Sequence, residues 1–187
     1  MSEVRAVETP AEDGQQPQAE GEEHARGEFK VPDGYAVVTG SPSGDRRAVA
    51  VVVAKFNGDV TARLLGTALE ELERAGVARE AITIVPVPGA FELPLAAMAL
   101  AKTRRYACVI ALGAVVRGET PHFDYVAGEA ASGLQLAGIE TGIPVSFGVL
   151  TTETLEQAEA RIDRAADAVR SALEMADVFQ QVRTAAK

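Results

Sequence analysis

The chain has 187 residues, of which 47% are apolar, and its formal net charge at pH 7 is −9. This length and apolar content predict one packed domain of ordinary size plus a tail. The negative charge argues against nucleic acid or a membrane surface as the main partner, since both attract basic patches. The single cysteine excludes an internal disulfide, and no apolar run resembles a signal peptide or a membrane span, so we expect a cytoplasmic protein.

The N-terminal segment differs in composition from the rest of the chain. Residues 1–26 are rich in Glu, Gln, Pro, Ala and Gly and contain almost nothing that could form a core. We therefore expect a disordered acidic tail. The turn-rich sequence Ser41–Asp45 follows, and Tyr35–Thr39 is interpreted as a candidate N-terminal edge strand. These features predict an N-terminal extension over 1–45 and an α/β domain over 46–187.

Strand and helix patterns alternate from residue 46 onwards. Continuous apolar runs predict strands covered on both faces, and amphipathic segments with Gly or Pro at their ends predict helices. The alternation predicts an α/β fold of three layers: a flavodoxin-like, doubly wound sheet of four parallel strands with helices on both faces. The predicted strands are Ala48–Ala54, Ala81–Val87, Tyr106–Leu112 and Pro144–Leu150, and the helices between them are Thr61–Ala75, Leu93–Lys102 and Phe123–Gly138.

The C-terminal segment contains no Gly or Pro after Gly148. Thr154 and Gln157 have the spacing of a capping box. Apolar residues then recur from Leu155 to Phe179 with spacings that alternate between three and four. The pattern predicts one long, continuous C-terminal helix of roughly 40 Å at 1.5 Å per residue. Such a helix is longer than a small four-stranded sheet can cover, so we expect part of its apolar stripe to pack on another subunit.

The most informative segment is Gly113–Tyr125, which follows a buried strand and leads into a helix. A helix N-terminus has unpaired N–H groups and partial positive charge, so it can bind a phosphate. His122 is the only histidine of the predicted domain, and imidazole can move protons in both directions near neutrality. Ligands of doubly wound sheets bind at the carboxyl ends of the strands. The other strand ends carry Phe56–Asn57, Ala90–Glu92 and Phe147.

Each of these residues also has an ordinary structural explanation. Phe56 fits a core position, and Glu92 fits the first turn of a helix, where the dipole favours an acid. His122 fits a capping or surface position, and Arg161 fits a solvated helix. The convergence of four loops on one edge nevertheless indicates an enzyme or binding protein for a flat substrate with a phosphate or polyol group.

Four motifs then make the comparison specific: Phe56–Asn57, Val87–Pro94, Ala111–Val126 and Gly148–Glu153. In this order and spacing they resemble the 6,7-dimethyl-8-ribityllumazine synthase family, over about residues 48–162. The resemblance implies condensation of 5-amino-6-(D-ribitylamino)uracil with 3,4-dihydroxy-2-butanone 4-phosphate in riboflavin biosynthesis, with release of phosphate and water. It implies no cofactor and no metal, and the sequence has no His/Cys cluster for a metal.

The resemblance also implies roles for individual residues. His122 moves protons during imine formation, phosphate elimination and ring closure, and Phe147 reaches the site of an adjacent subunit. Phe56 stacks on the pyrimidine, Glu92 accepts hydroxyls of the ribityl chain, and Arg161 is a cationic clamp on the phosphate. The implied substrate-binding residues are Phe56, Asn57, Ala90, Phe91, Glu92, Val115, Val116, Gly118, Glu119, Thr120, Phe147 and Arg161.

The sequence departs from the family after Arg161. Family members usually carry a linker rich in Gly, Asn and Lys between two helices, and here the chain is several residues shorter. The linker lysine has no counterpart, and Arg164, one turn further on, is our hypothesis for its replacement. Family members form homopentamers, and some assemble twelve of them into an icosahedral shell, so we expect a homo-oligomer built from pentamers.

Three other functions are compatible with parts of this pattern. The first is a non-catalytic flavin or lumazine binder, or a shell-forming structural paralogue. The second is an archaeal-type riboflavin synthase, and the third is an unrelated flavodoxin-like binder of phosphate sugars. The presence of Phe56, Glu92 and His122 together favours the synthase, because a structural protein needs no proton shuttle beside a phosphate site.

Overall fold

The computed structural model describes residues 29–185, and the predicted acidic tail over 1–26 lies outside them. Contacts divide the chain after Val37, and residues 29–37 are all exposed. The unit that begins at Val38 contains the whole sheet. Its main elements are β1 (Val49–Ala54), α1 (Gly58–Arg74), β2 (Ile82–Val87), α2 (Leu93–Lys102), β3 (Cys108–Val116), α3 (His122–Thr141), β4 (Val145–Thr152), α4 (Leu155–Glu159) and α5 (Arg164–Ala185).

The four strands form one parallel sheet in the order β2-β1-β3-β4. The chain passes from β1 to β2 on one side and then returns to β3 on the other side. The carboxyl ends of β1 and β3 therefore flank the point where the winding reverses, which is where doubly wound sheets form a ligand crevice. The predicted three-layer α/β fold is confirmed.

Both faces of β1, and of β3 as far as Ala114, are buried, and both strands are uninterrupted runs of apolar residues and Gly. Val49, Val51 and Val53 pack into one core with α1 and α5. Ala50 and Val52 pack into a second core with α2 and α3. Burial on both faces is the reason why these strands are continuous apolar runs in the sequence.

The candidate edge strand over 35–39 is not present, since these residues belong to no strand of the sheet. The backbone at the end of this segment and just after it bonds to α5 instead. The Thr39 carbonyl accepts a hydrogen bond from the Gln181 side chain at 2.8 Å, and the Ser41 N–H donates to Asp177 at 3.0 Å. These side chains satisfy backbone groups that a strand would pair with a neighbouring strand.

The single C-terminal helix predicted from Leu155 to Phe179 is wrong, because the chain turns between α4 and α5. The predicted capping box does start α4, with the Gln157 N–H donating to Thr154 Oγ1 at 3.3 Å. Ala158 on α4 and Ala165 on α5 are nevertheless both fully buried in one core, so the apolar stripe continues across the break. The remaining helix α5 is still long, with 22 residues that span about 33 Å.

Three successive i to i−3 hydrogen bonds form that turn, from the N–H groups of Arg164, Ala165 and Ala166. They tighten the backbone and turn it between the two helices without a Gly or Pro. Over residues 29–185, no helix is both long and apolar enough to cross a membrane.

Gly148 on β4 allows the sheet to pack closely, and its replacement tests that packing. A Cβ at this position would lie 2.9 Å from the Ala111 carbonyl oxygen and 2.7 Å from the Leu112 side chain. We expect Gly148→Ala to lower the free energy of unfolding by about 1 to 3 kcal/mol in urea titrations at fixed protein concentration. The matched control is Gly66→Ala in α1, where a Cβ meets no atom within 4 Å. This control should raise the free energy of unfolding by about 0.5 kcal/mol, and equal effects of the two changes would contradict the packing argument.

Candidate active site

A cleft of about 760 Å³ lies where the loops after β1, β2 and β3 meet at the carboxyl edge of the sheet. Its volume is in the range of small-molecule sites. Most of the residues that the sequence singled out are brought together here. The predicted site residues that line the cleft are Phe56, Asn57, Ala90, Phe91, Glu92, Val115, Val116, Gly118, Thr120 and His122.

Asn57 connects the loop after β1 to β3 through a side-chain hydrogen bond. Its backbone is left-handed, with φ of 56° and ψ of 48°, which is uncommon for a residue other than Gly but tolerated by Asn. Its side-chain Nδ2 donates to the Ala114 carbonyl at 2.9 Å, and its own carbonyl accepts from the Val60 and Thr61 N–H groups at 3.0 Å. The turn leaves the Phe56 side chain 70% exposed at the cleft.

Glu92 is held in place by the backbone of the loop after β2. The Gly89 N–H donates to Glu92 Oε2 at 2.9 Å, and a Cβ at position 89 would lie 3.2 Å from the same oxygen. This hydrogen bond uses one carboxylate oxygen, so the second oxygen can accept bonds from a ligand. Ala90 is buried below the loop, and Phe91 is 57% exposed at the cleft.

The loop after β3 contributes both the helix terminus and the histidine. Helix α3 begins at His122, and the Asp124 N–H donates to the Pro121 carbonyl at 3.0 Å. The other N–H groups of a first turn have no partners inside the helix, so they can bind an anion. Gly118 and Thr120 line the cleft just before this turn.

Arg117 lies at the start of the same loop and connects it to two carboxylates. Its Nη2 lies 3.0 Å from Asp124 Oδ1, and its Nε lies 3.0 Å and 2.8 Å from the two oxygens of Glu153. Hydrogen bonds to Asp124 and, to a smaller extent, to Glu153 raise the pKa of the Arg117 guanidinium above its usual value. The guanidinium carbon also lies 4.1 Å from the centre of the Phe123 ring.

Three predicted site residues do not line the cleft of their own chain: Glu119, Phe147 and Arg161. Phe147 pairs with Ala111 on β3, three residues before Ala114, and so lies about 10 Å back along the strands from the cleft. Its side chain is 44% exposed. Arg161 lies in the turn between α4 and α5, and its Nη1 donates to the Gln157 carbonyl at 2.8 Å.

The cleft also contains residues to which the sequence analysis gave no role. Tyr125 and Val126 follow His122 by three and four positions, so they share its face of α3. That spacing was readable in the sequence and could have identified them. The lining residues without a predicted role are Pro88, Gly89, Ala114, Phe123, Tyr125 and Val126. Among residues 29–185, no group of three His, Cys, Asp or Glu side chains could hold a metal ion.

Comparison with known proteins places the chain beside one family. The family described as 6,7-dimethyl-8-ribityllumazine synthase matches residues 46–180. An enzyme of that name from Yersinia pestis (strain Pestoides F) is 48% identical over 153 residues, which cover 79% of this chain and 98% of the relative. A Yersinia pseudotuberculosis enzyme (serotype O:1b, strain IP 31758) of the same name has the same identity and coverage.

The contacts of Asn57 predict different costs for two small replacements. Asn57→Gly removes the hydrogen bond to Ala114 and keeps a left-handed backbone accessible, so the free energy of unfolding should fall by about 1 kcal/mol. Asn57→Ala removes the same bond and adds the left-handed strain, so the fall should be about 2 kcal/mol. Urea unfolding of both variants measures the difference, and an alanine variant as stable as the glycine variant would contradict it.

Proposed function

The chain belongs to the 6,7-dimethyl-8-ribityllumazine synthase family, and from this premise we propose which residues of the cleft carry its reaction. The protein is a transferase of riboflavin biosynthesis that condenses 5-amino-6-(D-ribitylamino)uracil with 3,4-dihydroxy-2-butanone 4-phosphate. The family and the reaction predicted from the sequence are thus confirmed. The observation that carries the proposal for the site is the presence of Phe56, Glu92 and His122 in one cleft.

The pyrimidine substrate binds between the loops after β1 and β2 and the end of β3. Phe56 presents an exposed ring on which the pyrimidine stacks, a contact of about 1 kcal/mol beyond burial. Backbone groups of Val115 and Val116 bind the pyrimidine edge. Glu92 is fixed by Gly89 and accepts hydroxyl groups of the ribityl chain through its second oxygen. A fixed carboxylate binds well because little side-chain freedom is lost.

The phosphate of the second substrate binds on the side of α3. Gly118, Glu119 and Thr120 offer main-chain N–H groups, and Thr120 adds its hydroxyl. This role does not require the Glu119 side chain to face the cleft, so its place outside the lining is compatible with the proposal. The first turn of α3 adds the positive end of the helix dipole.

His122 moves protons between the two substrates. In imine formation a proton is donated to the departing hydroxyl, and in phosphate elimination a proton is taken from the substrate. Ring closure requires both a donated and an accepted proton. An imidazole near neutrality can do each in turn. Most of the remaining acceleration comes from holding the two substrates side by side, which removes the entropy cost of their encounter.

We propose a homopentamer in which each cleft is completed by a neighbouring subunit. Phe147 and Arg161 lie outside the cleft of their own chain, so they serve the adjacent cleft: Phe147 covers the pyrimidine and Arg161 clamps the phosphate. Exposed apolar side chains on β4 and α5, including Met175 and Val182, support such an interface. Further assembly into an icosahedral shell is a second stage of the same proposal.

Three finer assignments accompany this proposal. The division into an extension over 1–45 and a domain over 46–187 is supported by the start of the family match at residue 46. A cytoplasmic location is supported by the similarity to bacterial biosynthetic enzymes. Arg164 supplies the charge of the missing linker lysine, although it already pairs with Asp167 at 3.2 Å.

Replacement of His122 tests the proton-transfer role. We expect His122→Ala to lower kcat by a factor on the order of 10², without abolishing turnover, because the substrates are still held together. Formation of the lumazine is followed by its absorbance at saturating substrate concentrations. The matched control is His24→Ala, which changes the only other histidine and lies outside the family match. A His122→Ala protein with full turnover would remove His122 from the mechanism.

Mixed assemblies test whether Phe147 acts across subunits. His122→Ala damages the cleft of its own chain, and Phe147→Ala damages the neighbour's cleft if the proposal is right. Co-refolding the two variants in equal amounts should give about a quarter of the wild-type activity per subunit, plus a quarter of the residual activity of Phe147→Ala, because one site in four combines an intact cleft with an intact neighbour. If Phe147 acted in its own cleft, the activity per subunit would equal the mean of the two separate variants.

A further inference from the structure

Arg117 lies inside the most informative motif of the sequence but has no role in the reaction described above. It follows β3 directly, and its N–H donates to the Thr152 carbonyl at 2.9 Å, which continues the pairing of β3 with β4. The four residues 118–121 separate it from α3. Arg117 therefore stands at one end of the loop that binds the phosphate.

The guanidinium of Arg117 reaches the other end of the same loop. It donates to Asp124 and covers the ring of Phe123, and both residues lie in the first turn of α3. A single side chain thus ties the last residue before the loop to the first helical turn after it. The short loop between these two points carries Gly118 and Thr120 and ends next to His122.

The same guanidinium also fastens the loop to the end of β4. Its Nε lies within 3.0 Å of both oxygens of Glu153. The Glu153 N–H donates to Gln157 Oε1 at 3.0 Å, and the Gln157 carbonyl accepts from Arg161 at 2.8 Å. One chain of polar contacts therefore connects the loop after β3 with the turn that carries Arg161.

The charges around Arg117 do not favour a direct contact with the phosphate. Two carboxylates surround one guanidinium, so the group as a whole carries a charge of about −1, which repels an anion. Arg117 is also absent from the residues that line the cleft, whereas its loop neighbours Gly118 and Thr120 line it. The geometry suits a residue that orders the loop rather than one that touches the substrate.

We propose that Arg117 is a positioning residue: it bridges Asp124 and Glu153 and so holds the 118–121 loop and His122 in the geometry that binds the phosphate substrate. This inference rests on the proposed function of the loop. Planar guanidinium suits the bridge because its donors point in fixed, different directions, which a lysine ammonium cannot reproduce. Exposed ion pairs contribute little to the stability of a whole fold, so the effect of Arg117 is local.

Hydrogen exchange of the free protein tests the bridge without any substrate. We expect Arg117→Ala to speed amide exchange in the peptide that spans residues 117–124 by about threefold to tenfold, in phosphate-free buffer. Asp124→Asn should speed it by a smaller factor, since Glu153 still holds Arg117. The double variant should exchange like Arg117→Ala alone, because both changes break the same bridge.

Kinetics then separate a positioning role from a general loss of structure. Arg117→Ala should raise the KM for the butanone phosphate by about threefold to tenfold. It should leave the KM for the pyrimidine substrate unchanged, because Phe56 and Glu92 lie on other loops and the pairing of β3 with β4 holds Val115 and Val116. Arg117→Lys should recover part of this loss. The matched control is Arg79→Ala, which removes an exposed ion pair with Glu73 before β2, at the opposite edge of the sheet. It should change neither KM.

Several results would overturn the proposal. Unchanged exchange in Arg117→Ala would show that the bridge does not order the loop. Arg117→Lys could also restore the wild-type KM for the butanone phosphate while its amide exchange stays as fast as in Arg117→Ala. This result would identify Arg117 as a simple source of positive charge for the phosphate. An equal rise of both KM values would indicate general damage. Failure of the proposed function gives a different result: the change in amide exchange would still be seen, but the protein would form no lumazine and no KM could be measured.

Discussion

The parallel ladder between β1 and β3 is the constraint on which the rest of the structure depends. It pairs Val53 with Leu112 at its last rung, and the reversal of winding at this pair opens the crevice. The side chain of Asn57 then extends the connection to Ala114, beyond the end of the ladder. The loops after β1 and β3 therefore start from neighbouring points, and the aromatic ring of Phe56 and the imidazole of His122 reach one cleft.

Side-chain hydrogen bonds fix the loops around the cleft, but three of the predicted site residues lie outside it. Asn57 in a left-handed turn, Glu92 bonded to Gly89 and Arg117 between two carboxylates each fix one loop through a side chain that bonds to a distant or backbone group. Fixed groups bind and orient two substrates at a low entropic cost. Phe147 on β4 and Arg161 in the turn after α4 lie outside the cleft of their own chain. The proposed assembly of subunits would bring these two residues to a neighbouring cleft.

Much of the fold was predictable because strands covered on both faces are continuous apolar runs. The prediction ended β3 at Leu112, before Gly113, whereas the strand and its apolar run continue to Val116 through pairing with β4. The turn between α4 and α5 was missed because no Gly or Pro marks it and the spacing of the buried apolar residues, such as Ala158 and Ala165, continues through it. Ten of the thirteen predicted site residues come together in the cleft. The partners of Arg117 are 7 and 36 positions away, so sequence spacing gave no sign of the bridge.

Condensation of the two substrates in this one cleft fixes the ratio of its two products, so the stoichiometry of the reaction tests it. The full chain is mixed with 5-amino-6-(D-ribitylamino)uracil and 3,4-dihydroxy-2-butanone 4-phosphate, and lumazine absorbance and inorganic phosphate are followed together. We expect both products to appear in equal amounts, and omission of either substrate to abolish both. A protein that binds the lumazine but forms neither product, or that consumes lumazine alone, does not perform this condensation.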